Sequence, residues 1–278
     1  MGRKADLHIH TTASDGRLTP QEVIVSAIGA GLHAIAITDH DTLAGYLEVS
    51  QTAQAEITII PGIEFSTDLP QNEVHILGYY LDPSHDELQE ILTRIISDRI
   101  DRTRKIISIL DELGYNISFD RVKEIAGRAQ AIGRPHIAAA LIEKQYFTNV
   151  SQVFNSLLAK NGPAYIPHFK LSPQEAIAII HKAGGLAILA HPGLVNEDAL
   201  IQDMIRLGVD GIEAIHPAHS EQQVQIYTEW ADKESLLVTG GSDFHSIPGR
   251  YPERLGEYYI PYYLVENLQK RRSSSYST

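Results

Sequence analysis

The sequence contains no cysteine in its 278 residues. Disulfide bonds, thiolate metal sites and a cysteine nucleophile are therefore excluded. Any transition metal would have to be bound by histidine, aspartate and glutamate side chains. Because hydrophobic residues make up 43% of the chain, a sizeable core can form without covalent cross-links.

Long apolar runs are also missing. No stretch approaches the roughly 20 residues that a bilayer-spanning helix needs, and the first residues do not resemble a signal peptide. We therefore expect a cytoplasmic protein without membrane contacts.

Basic residues are fewer than acidic residues, and the formal net charge of -12 argues against an extended surface for duplex nucleic acid. A phosphorylated substrate stays compatible with this charge, because bound cations can reverse the local field.

Strand and helix signals alternate at both ends of the chain but not in its middle. Such alternation is typical of a parallel sheet or barrel. Residues 83–165 carry helix signals only. We therefore predict a discontinuous α/β domain formed by 1–82 and 166–278, with an all-helical insertion at 83–165. The serine-rich tail 271–278 is expected to be disordered.

The first chemical motif is Asp-Leu-His-Ile-His, which ends at His10. Residues two apart in a strand point to the same face, so His8 and His10 can share one metal ion. Asp15 follows in the next loop, and on its own it is typical of a turn residue.

The second motif is Thr-Asp-His-Asp, which ends at Asp41 and directly follows a buried apolar strand. In α/β barrels, functional residues gather at the carboxyl ends of strands. Because adjacent side chains point apart, we expect His40 to bind metal and Asp39 to orient a ligand from behind. Asp41 is also consistent with a cap for the following helix.

Further ionisable residues occupy or follow the remaining strands. They are Glu64, His75, His191, His216, and the pair Asp243 and His245, which repeats the two-residue spacing. Each of these alone would be compatible with a structural role. Together they predict a multi-metal site, because burying so many ionisable groups at one end of a sheet would be costly without ions.

The set of motifs resembles the PHP (polymerase and histidinol phosphatase) superfamily. The matching segments are DLHIHT, TDHD, GIE, the downstream His75, AHP and GSDFH, in the family's order over 1–82 and 165–260. The resemblance implies an α/β fold, a distorted (β/α)7 barrel with a trinuclear metal site at the carboxyl ends of its strands.

Position by position, the resemblance implies three groups of ligands. One ion is bound by His8, His10, Glu64 and Asp243; a second by Glu64, which bridges, with His75 and His191; and a third by Asp15, His40 and His245. We expect three divalent ions, with Mn²⁺ favoured and Fe²⁺ or Zn²⁺ as alternatives, because nitrogen and oxygen ligands suit all three metals.

The predicted insertion contains Gly-Arg-Pro-His, which ends at His136. This motif is similar to one in the PHP branch of nucleoside 3',5'-bisphosphate phosphatases and 5'-3' exonucleases of short RNA. An arginine at a helix N-terminus suits phosphate binding, so Arg134 and His136 are expected to bind a second phosphate. His216 is assigned to substrate phosphate contact or leaving-group protonation, with packing as the alternative. His219 and His168 are further candidates.

The expected function is hydrolysis of a nucleotide phosphate ester by a metal-activated hydroxide. The favoured substrate is a nucleoside 3',5'-bisphosphate, giving the nucleoside 5'-monophosphate and phosphate. Two alternatives use the same chemistry: a 5'-3' exonuclease of short RNA oligonucleotides and a monoesterase similar to histidinol phosphatase. A non-catalytic PHP module that binds a partner is the alternative outside enzymes.

Overall fold

The computed structural model describes residues 2–51, 56–68, 73–127, 129, 132–167, 169, 171–195 and 197–275. Its strands form one sheet of eight members, in the order β7-β6-β5-β4-β3-β2-β1-β8. The strands are β1 Lys4–Ile9, β2 Ala34–Ile37, β3 Thr58–Asp68, β4 Glu73–Tyr79, β5 Leu186–Leu189, β6 Gly211–Ile215, β7 Leu237–Gly240 and β8 Ile260–Pro261.

The sheet curls into a nearly closed barrel. Strands β1 to β3 are parallel to one another, as are β5 to β7. Closure comes from the segment after β7, where Phe244 pairs with Ile9 in a parallel bridge and accepts the His10 N–H at 2.9 Å. The predicted distorted (β/α)7 barrel is confirmed, with the short β8 added antiparallel to β1.

The distortion of the barrel centres on β4, which is antiparallel to both of its neighbours. Strand β3 extends beyond its pairing with β2 and forms a long hairpin with β4. The amino end of β4 therefore lies beside the carboxyl ends of the parallel strands. This reversal explains how a residue at the start of a strand can join residues that follow the other strands.

Eleven helices surround the sheet within the described ranges. They are α1 Pro20–Gly29, α2 Ala44–Ser50, α3 Asp86–Glu112, α4 Phe119–Ala126, α5 Arg134–Glu143, α6 Val150–Val153, α7 Pro173–Lys182, α8 Pro192–Val195, α9 Asp198–Arg206, α10 Glu221–Lys233 and α11 Tyr263–Ser275. A π-helical turn, Phe154–Leu158, continues α6. Thr19 caps α1 and forms a capping box with Glu22. None of these helices has the length and apolar character to cross a bilayer.

Helices α3 to α6 follow one another between β4 and β5 with no strand among their described residues. The carboxyl half of α3 and the helices after it share a hydrophobic cluster of their own, which includes Ile106, Leu110 and Ile137. The amino half of α3 packs instead on the barrel side, through Leu88 and Leu92. The division of the chain at 83 and 165 stays a prediction.

The expectation of a disordered tail is wrong as far as Ser275, because α11 extends to that residue. Leu264 and Leu268 are buried against the barrel strands and fix the helix there. Arg271 then donates to the Ser235 carbonyl at 2.6 Å. Serine content alone misled the prediction, since apolar side chains upstream anchor the helix. Residues 276–278 lie outside the described part.

A buried hydrogen bond of Tyr79 allows the packing of the barrel interior to be tested. Tyr79 is fully buried, and its hydroxyl donates to the Leu7 carbonyl at 2.7 Å. We expect Tyr79→Phe to lower the free energy of unfolding by about 1–2 kcal/mol, because a buried hydrogen bond is lost. The measurement is urea unfolding. Tyr263→Phe, at a side chain that is 57% exposed, is the matched control, and equal effects of both changes would contradict the assignment.

Candidate metal centre

The nine side chains that the sequence resemblance implies as ligands lie together at one end of the barrel. They form four overlapping groups whose ligand atoms are within 4.8 Å of one another: His10, Asp15, His40 and His245; His8, His10 and Asp243; His8, Glu64 and His191; and His40, Glu64 and His75. His75 joins them because β4 runs backwards. Their roles as ligands stay a prediction that this geometry supports.

Glu64 is the centre of this cluster, with its side chain only 1% exposed. Its Oε1 lies 2.8 Å from His75 Nδ1 and 3.0 Å from His191 Nε2. Its Oε2 lies 3.1 Å from His40 Nδ1, 3.2 Å from His10 Nε2 and 3.4 Å from His8 Nε2. One carboxylate thus faces five imidazoles, as a bridging ligand would.

The contacts around Glu64 Oε2 are not those of a hydrogen-bond network. This oxygen is buried and accepts no hydrogen bond from any described residue, although three ring nitrogens lie within 3.4 Å. Buried polar atoms are normally hydrogen-bonded. The atoms are therefore arranged around a common point rather than towards one another, which fits ligands of a cation.

The tautomers of two histidines lead to the same conclusion. His8 Nδ1 is 2.9 Å from Glu213 Oε1, and His245 Nδ1 is 2.8 Å from the Asp243 carbonyl. Both Nδ1 atoms donate to these oxygens, so Nε2 is the atom of each ring that can bind a cation. His245 Nε2 faces Asp15 Oδ1 at 3.2 Å. A ring nitrogen and a carboxylate oxygen that face each other in this way can both bind one cation, so this donor set fits divalent metal ions.

Opposite charges compensate one another across the cluster. Burial lowers the pKa of His40 to about 4. Burial also opposes the charged form of His10, but the carboxylates of Asp243 and Glu64 outweigh it and raise that pKa to about 9. For Glu64, burial is outweighed by the neighbouring imidazoles, which hold its pKa well below the usual range. The carboxylates are therefore ionised and able to bind cations.

Glu213 is a functional residue that the sequence reasoning missed. It is fully buried on β6, faces His8 Nδ1 through Oε1, and accepts the His191 N–H at 2.8 Å through Oε2. One carboxylate therefore orients the ring of His8 and fixes the backbone of His191. The signal was a single acidic residue inside the apolar strand GIEAI, because an unpaired buried carboxylate would be costly.

Asp39 orients the site through the backbone. Its Oδ1 accepts hydrogen bonds from the Thr11 N–H at 2.7 Å and from the Ser14 hydroxyl at 2.6 Å. It thereby fixes the loop between His10 and Asp15, so the orienting role that the sequence predicts for Asp39 would act through the backbone of this loop. Gly45 is required beside it, because a Cβ at this position would clash with Asp39 Oδ2.

Asp41 does not cap the following helix, as the sequence had allowed. The residue at the amino end of α2 is Leu43, and no side chain caps it. Asp41 instead adopts a left-handed backbone conformation with φ of 54°. Its carboxylate accepts the Ser66 N–H at 3.0 Å and forms an ion pair with Arg99. It therefore links the barrel to α3.

His216 and His219 extend the histidine cluster in different ways. His216 is buried, and its Nδ1 accepts the Ala218 N–H at 3.1 Å. Its Nε2 must then carry a hydrogen, which points towards Asp243 Oδ2 at 3.9 Å. His219 donates to the Ala214 carbonyl and accepts the Gly193 N–H. His219 therefore fixes the loop after β5. His168 lies outside the described residues.

A cavity of 250 Å³ opens beside the cluster. Its wall includes Asp15, His40, Ser66, His75, Arg99, Arg102, Arg134 and Phe154. Arg134 of the Gly-Arg-Pro-His motif thus lies in the wall of this cavity, as its predicted role in phosphate binding requires. His136 uses Nδ1 to accept the Gly133 N–H at 3.1 Å at the start of α5, and burial lowers its pKa. The neutral ring keeps Nε2–H as a donor. The two arginines of α3 were not anticipated from the sequence.

Comparison with known proteins assigns this architecture to phosphoesterases. A family model described as PHP domain matches residues 6–170. A 3',5'-nucleoside bisphosphate phosphatase of Chromobacterium violaceum is 33% identical over 250 residues, 88% of this chain and 87% of that protein. A 5'-3' exoribonuclease of Haemophilus influenzae is 34% identical over 251 residues, 88% and 91% of the two chains. A solved structure from Bifidobacterium adolescentis, described as a candidate metal-dependent phosphoesterase, matches with a TM-score of 0.86 at 32% identity and 96% coverage of both chains.

Replacing Glu213 tests whether it orients ligands. Glu213→Gln keeps the size of the side chain but removes the charge that holds His8 Nδ1–H. We expect metal affinity to fall by about 10- to 100-fold, measured by competition with a chelating dye. Glu229→Gln, at an exposed position of α10, is the control. Unchanged metal affinity in the Glu213 variant would show that it only packs.

Proposed function

Because the chain belongs to the PHP family of metal-dependent phosphoesterases, we propose that it hydrolyses nucleoside 3',5'-bisphosphates. The products are the nucleoside 5'-monophosphate and inorganic phosphate. The proposal is supported chiefly by one juxtaposition: a cluster of buried ligand atoms that fits cations adjoins a cavity with an arginine-rich wall. The cluster of ligand atoms suits the reacting phosphate, and the arginine-rich wall suits a second phosphate on the same substrate.

The proposed centre contains three divalent ions, with Mn²⁺ favoured over Fe²⁺ and Zn²⁺. The ligands are the nine side chains implied by the family resemblance, with Glu64 bridging two ions. Support comes from the thiolate-free donor set, which suits all three metals, and from the convergence of five imidazoles on Glu64. A cytoplasmic location stays a prediction from the sequence.

When bound, divalent ions supply Lewis-acid stabilisation of phosphoryl oxygens and activate water for attack on phosphorus. The protein's own residues orient the side chains that would bind these ions. Glu213 and the Asp243 carbonyl hold the rings of His8 and His245 so that their lone pairs face the centre. His216 presents its Nε2–H to the same space and can donate to a phosphoryl oxygen.

The arginine wall supports a substrate with two phosphates. Arg134 donates to the Leu158 carbonyl at 3.1 Å, which orients its guanidinium before any substrate binds. A preorganised guanidinium binds phosphate with less entropy loss than a mobile one. A monoester such as histidinol phosphate carries nothing for this wall to bind. The nine-ligand centre, in turn, argues against a non-catalytic module.

The second candidate is a 5'-3' exonuclease of short RNA. It is favoured by the similarity to the exoribonuclease of Haemophilus influenzae, which equals the similarity to the phosphatase of Chromobacterium violaceum within one percentage point of identity. The same centre would act on a phosphodiester while the arginine wall held the terminal 5'-phosphate. The two substrates are separated by direct assay.

The assay measures release of inorganic phosphate from adenosine 3',5'-bisphosphate by protein loaded with Mn²⁺. In parallel, it measures release of nucleoside 5'-monophosphate from 5'-phosphorylated RNA of two to five nucleotides. We expect the bisphosphate to be the better substrate. Asp243→Asn should lower activity on every substrate by more than about 100-fold, because a ligand charge is lost. Asp232→Asn, at an exposed position of α10, is the control. Absence of bisphosphate turnover would refute the substrate assignment.

A further inference from the structure

The two oxygens of the Asp243 carboxylate face different groups. Its Oδ1 lies 3.3 Å from His10 Nε2 and 3.5 Å from His8 Nε2, where the ligand atoms of the cluster converge. Its Oδ2 forms an ion pair with Arg250 and lies 3.9 Å from His216 Nε2. Oδ1 is therefore the oxygen placed to bind a cation, and Oδ2 marks a second side of the cluster.

His216 directs an unsatisfied donor to this second side. The residue is only 4% exposed, and its Nε2–H has no hydrogen-bond partner in the part of the chain that the structure describes. A buried donor without an acceptor is costly, and an oxygen of a substrate phosphate would supply that acceptor. The arginine-lined cavity adjoins other members of the cluster, namely Asp15, His40 and His75.

A tight turn fixes the backbone of Arg250 at the rim of this second side. The Arg250 N–H donates to the Ile247 carbonyl at 3.0 Å, across the two central residues Pro248 and Gly249. Gly249 has a φ of 79°, and proline followed by a residue with positive φ is typical of a type II turn. Glu253 accepts the Gly249 N–H at 3.1 Å and ties the turn to the rest of its loop. The Arg250 side chain itself is 44% exposed.

The pairing with Asp243 leaves part of the Arg250 guanidinium for another anion. Among the described residues, only its Nη2 is hydrogen-bonded, and the acceptor is Asp243 Oδ2. Asp243 neutralises the arginine in the structure, but a divalent ion on Oδ1 would compensate the charge of the same carboxylate. The half-exposed guanidinium then has a positive charge and free N–H groups, which suits a phosphate of the substrate backbone.

The proposed reaction decides which part of a substrate can reach Arg250. With the 5'-phosphate of the first nucleotide at the arginine wall, water adds its hydroxyl to the next phosphorus and its proton to the departing 3'-oxygen. In a bisphosphate this reacting phosphate is terminal, and nothing lies beyond it. In RNA it carries the following nucleotides, which must continue away from the wall that binds the first one. Arg250 and His216 face the side of the cluster that remains for them.

We propose that Arg250 binds the phosphodiester that follows the scissile phosphate of a short RNA, while His216 Nε2–H donates to the scissile phosphate. This inference rests on the proposed function and deepens its second candidate, the 5'-3' exonuclease. The substrate class that it assigns is a 5'-phosphorylated strand of at least three nucleotides. Arg250 thereby determines specificity for substrate length, in addition to its contact with Asp243.

Substrate length provides the test. We compare kcat/KM of the Mn²⁺-loaded protein for adenosine 3',5'-bisphosphate and for 5'-phosphorylated RNA of two and of three nucleotides. Only the trinucleotide has a phosphodiester beyond the scissile one. Arg250→Gln should lower kcat/KM for the trinucleotide by about 5- to 10-fold more than for the other two, because a charge-assisted contact of a half-exposed side chain is lost. Equal losses on all three substrates would show that Arg250 only orients Asp243 and would overturn the proposal, as would no loss.

Arg254→Gln is the matched control on the same loop. The Arg254 side chain is 86% exposed, pairs with Glu257 and lines a different cavity, beside Ala30. This change should leave all three values unaltered. Arg250→Lys keeps the positive charge and should recover most of the loss on the trinucleotide. A loss as large as that of Arg250→Gln would contradict a contact that depends on charge.

A binding measurement separates this inference from the proposed function. The ligand is a 5'-phosphorylated trinucleotide in which a methylene group replaces the first bridging 3'-oxygen, so that it keeps its charges but resists hydrolysis. The corresponding dinucleotide is the reference. Calorimetry on the Mn²⁺-loaded protein at several KCl concentrations should show a steeper salt dependence for the trinucleotide, by about 0.7 in the slope of log affinity against log salt for one phosphate contact. Arg250→Gln should remove this difference.

The outcomes of the two experiments are distinct. If no substrate is turned over but the difference in salt dependence is present and requires Arg250, the proposed function is wrong and the phosphate contact stands. If both ligands show the same salt dependence, or if the difference persists in Arg250→Gln, the role of Arg250 is refuted whether or not the protein hydrolyses RNA.

Discussion

The convergence of imidazole and carboxylate groups on Glu64 is the constraint on which the active end of this protein depends. Five ring nitrogens face one buried carboxylate, and His245 Nε2 faces the carboxylate of Asp15. Such an arrangement of nitrogen and oxygen atoms suits bound cations. The surrounding structure holds it in place through groups that bind no substrate, among them Glu213 and Asp39. The geometry of the proposed metal centre therefore depends on the buried polar groups around the nine side chains as well as on those side chains themselves.

The reversal of β4 gives the site its shape. In a barrel with parallel strands only, functional residues come from loops after the strands. Here the hairpin of β3 and β4 brings the His75 side chain within 2.8 Å of the Glu64 carboxylate. The same hairpin presents Ser66 to Asp41, which in turn holds Arg99 of α3. One distortion thus connects the metal centre to the helices that contribute the arginine wall.

The clustering of these ionisable side chains could be predicted from the sequence because most of them follow or occupy an apolar strand. Asp15 lies in a loop and was implied only by the family resemblance. In a barrel the ends of neighbouring strands lie close together, so residues at those ends are expected to form a cluster. Glu213 was missed because it lies within a strand and acts on His8 through a contact between residues 205 positions apart. Arg99 was missed because its surroundings on α3 read as a solvated helix. Neither its inward face nor its pairing with Asp41 follows from periodicity alone.

Two other differences have local physical causes. The tail was expected to be disordered from its serines, whereas burial of Leu264 and Leu268 extends α11 to Ser275. Asp41 was compatible with a helix cap, whereas its left-handed backbone directs the carboxylate to Ser66 and Arg99. In both cases tertiary contacts outweighed a local signal.

Anomalous diffraction from crystals grown with Mn²⁺ would show most directly whether this cluster binds metal. We expect three anomalous peaks per chain, each within bonding distance of several of the nine side chains grouped around Glu64. Peaks confined to other parts of the surface, or none at this end of the barrel, would contradict it. Either of those results would mean that the histidine cluster is not a metal centre.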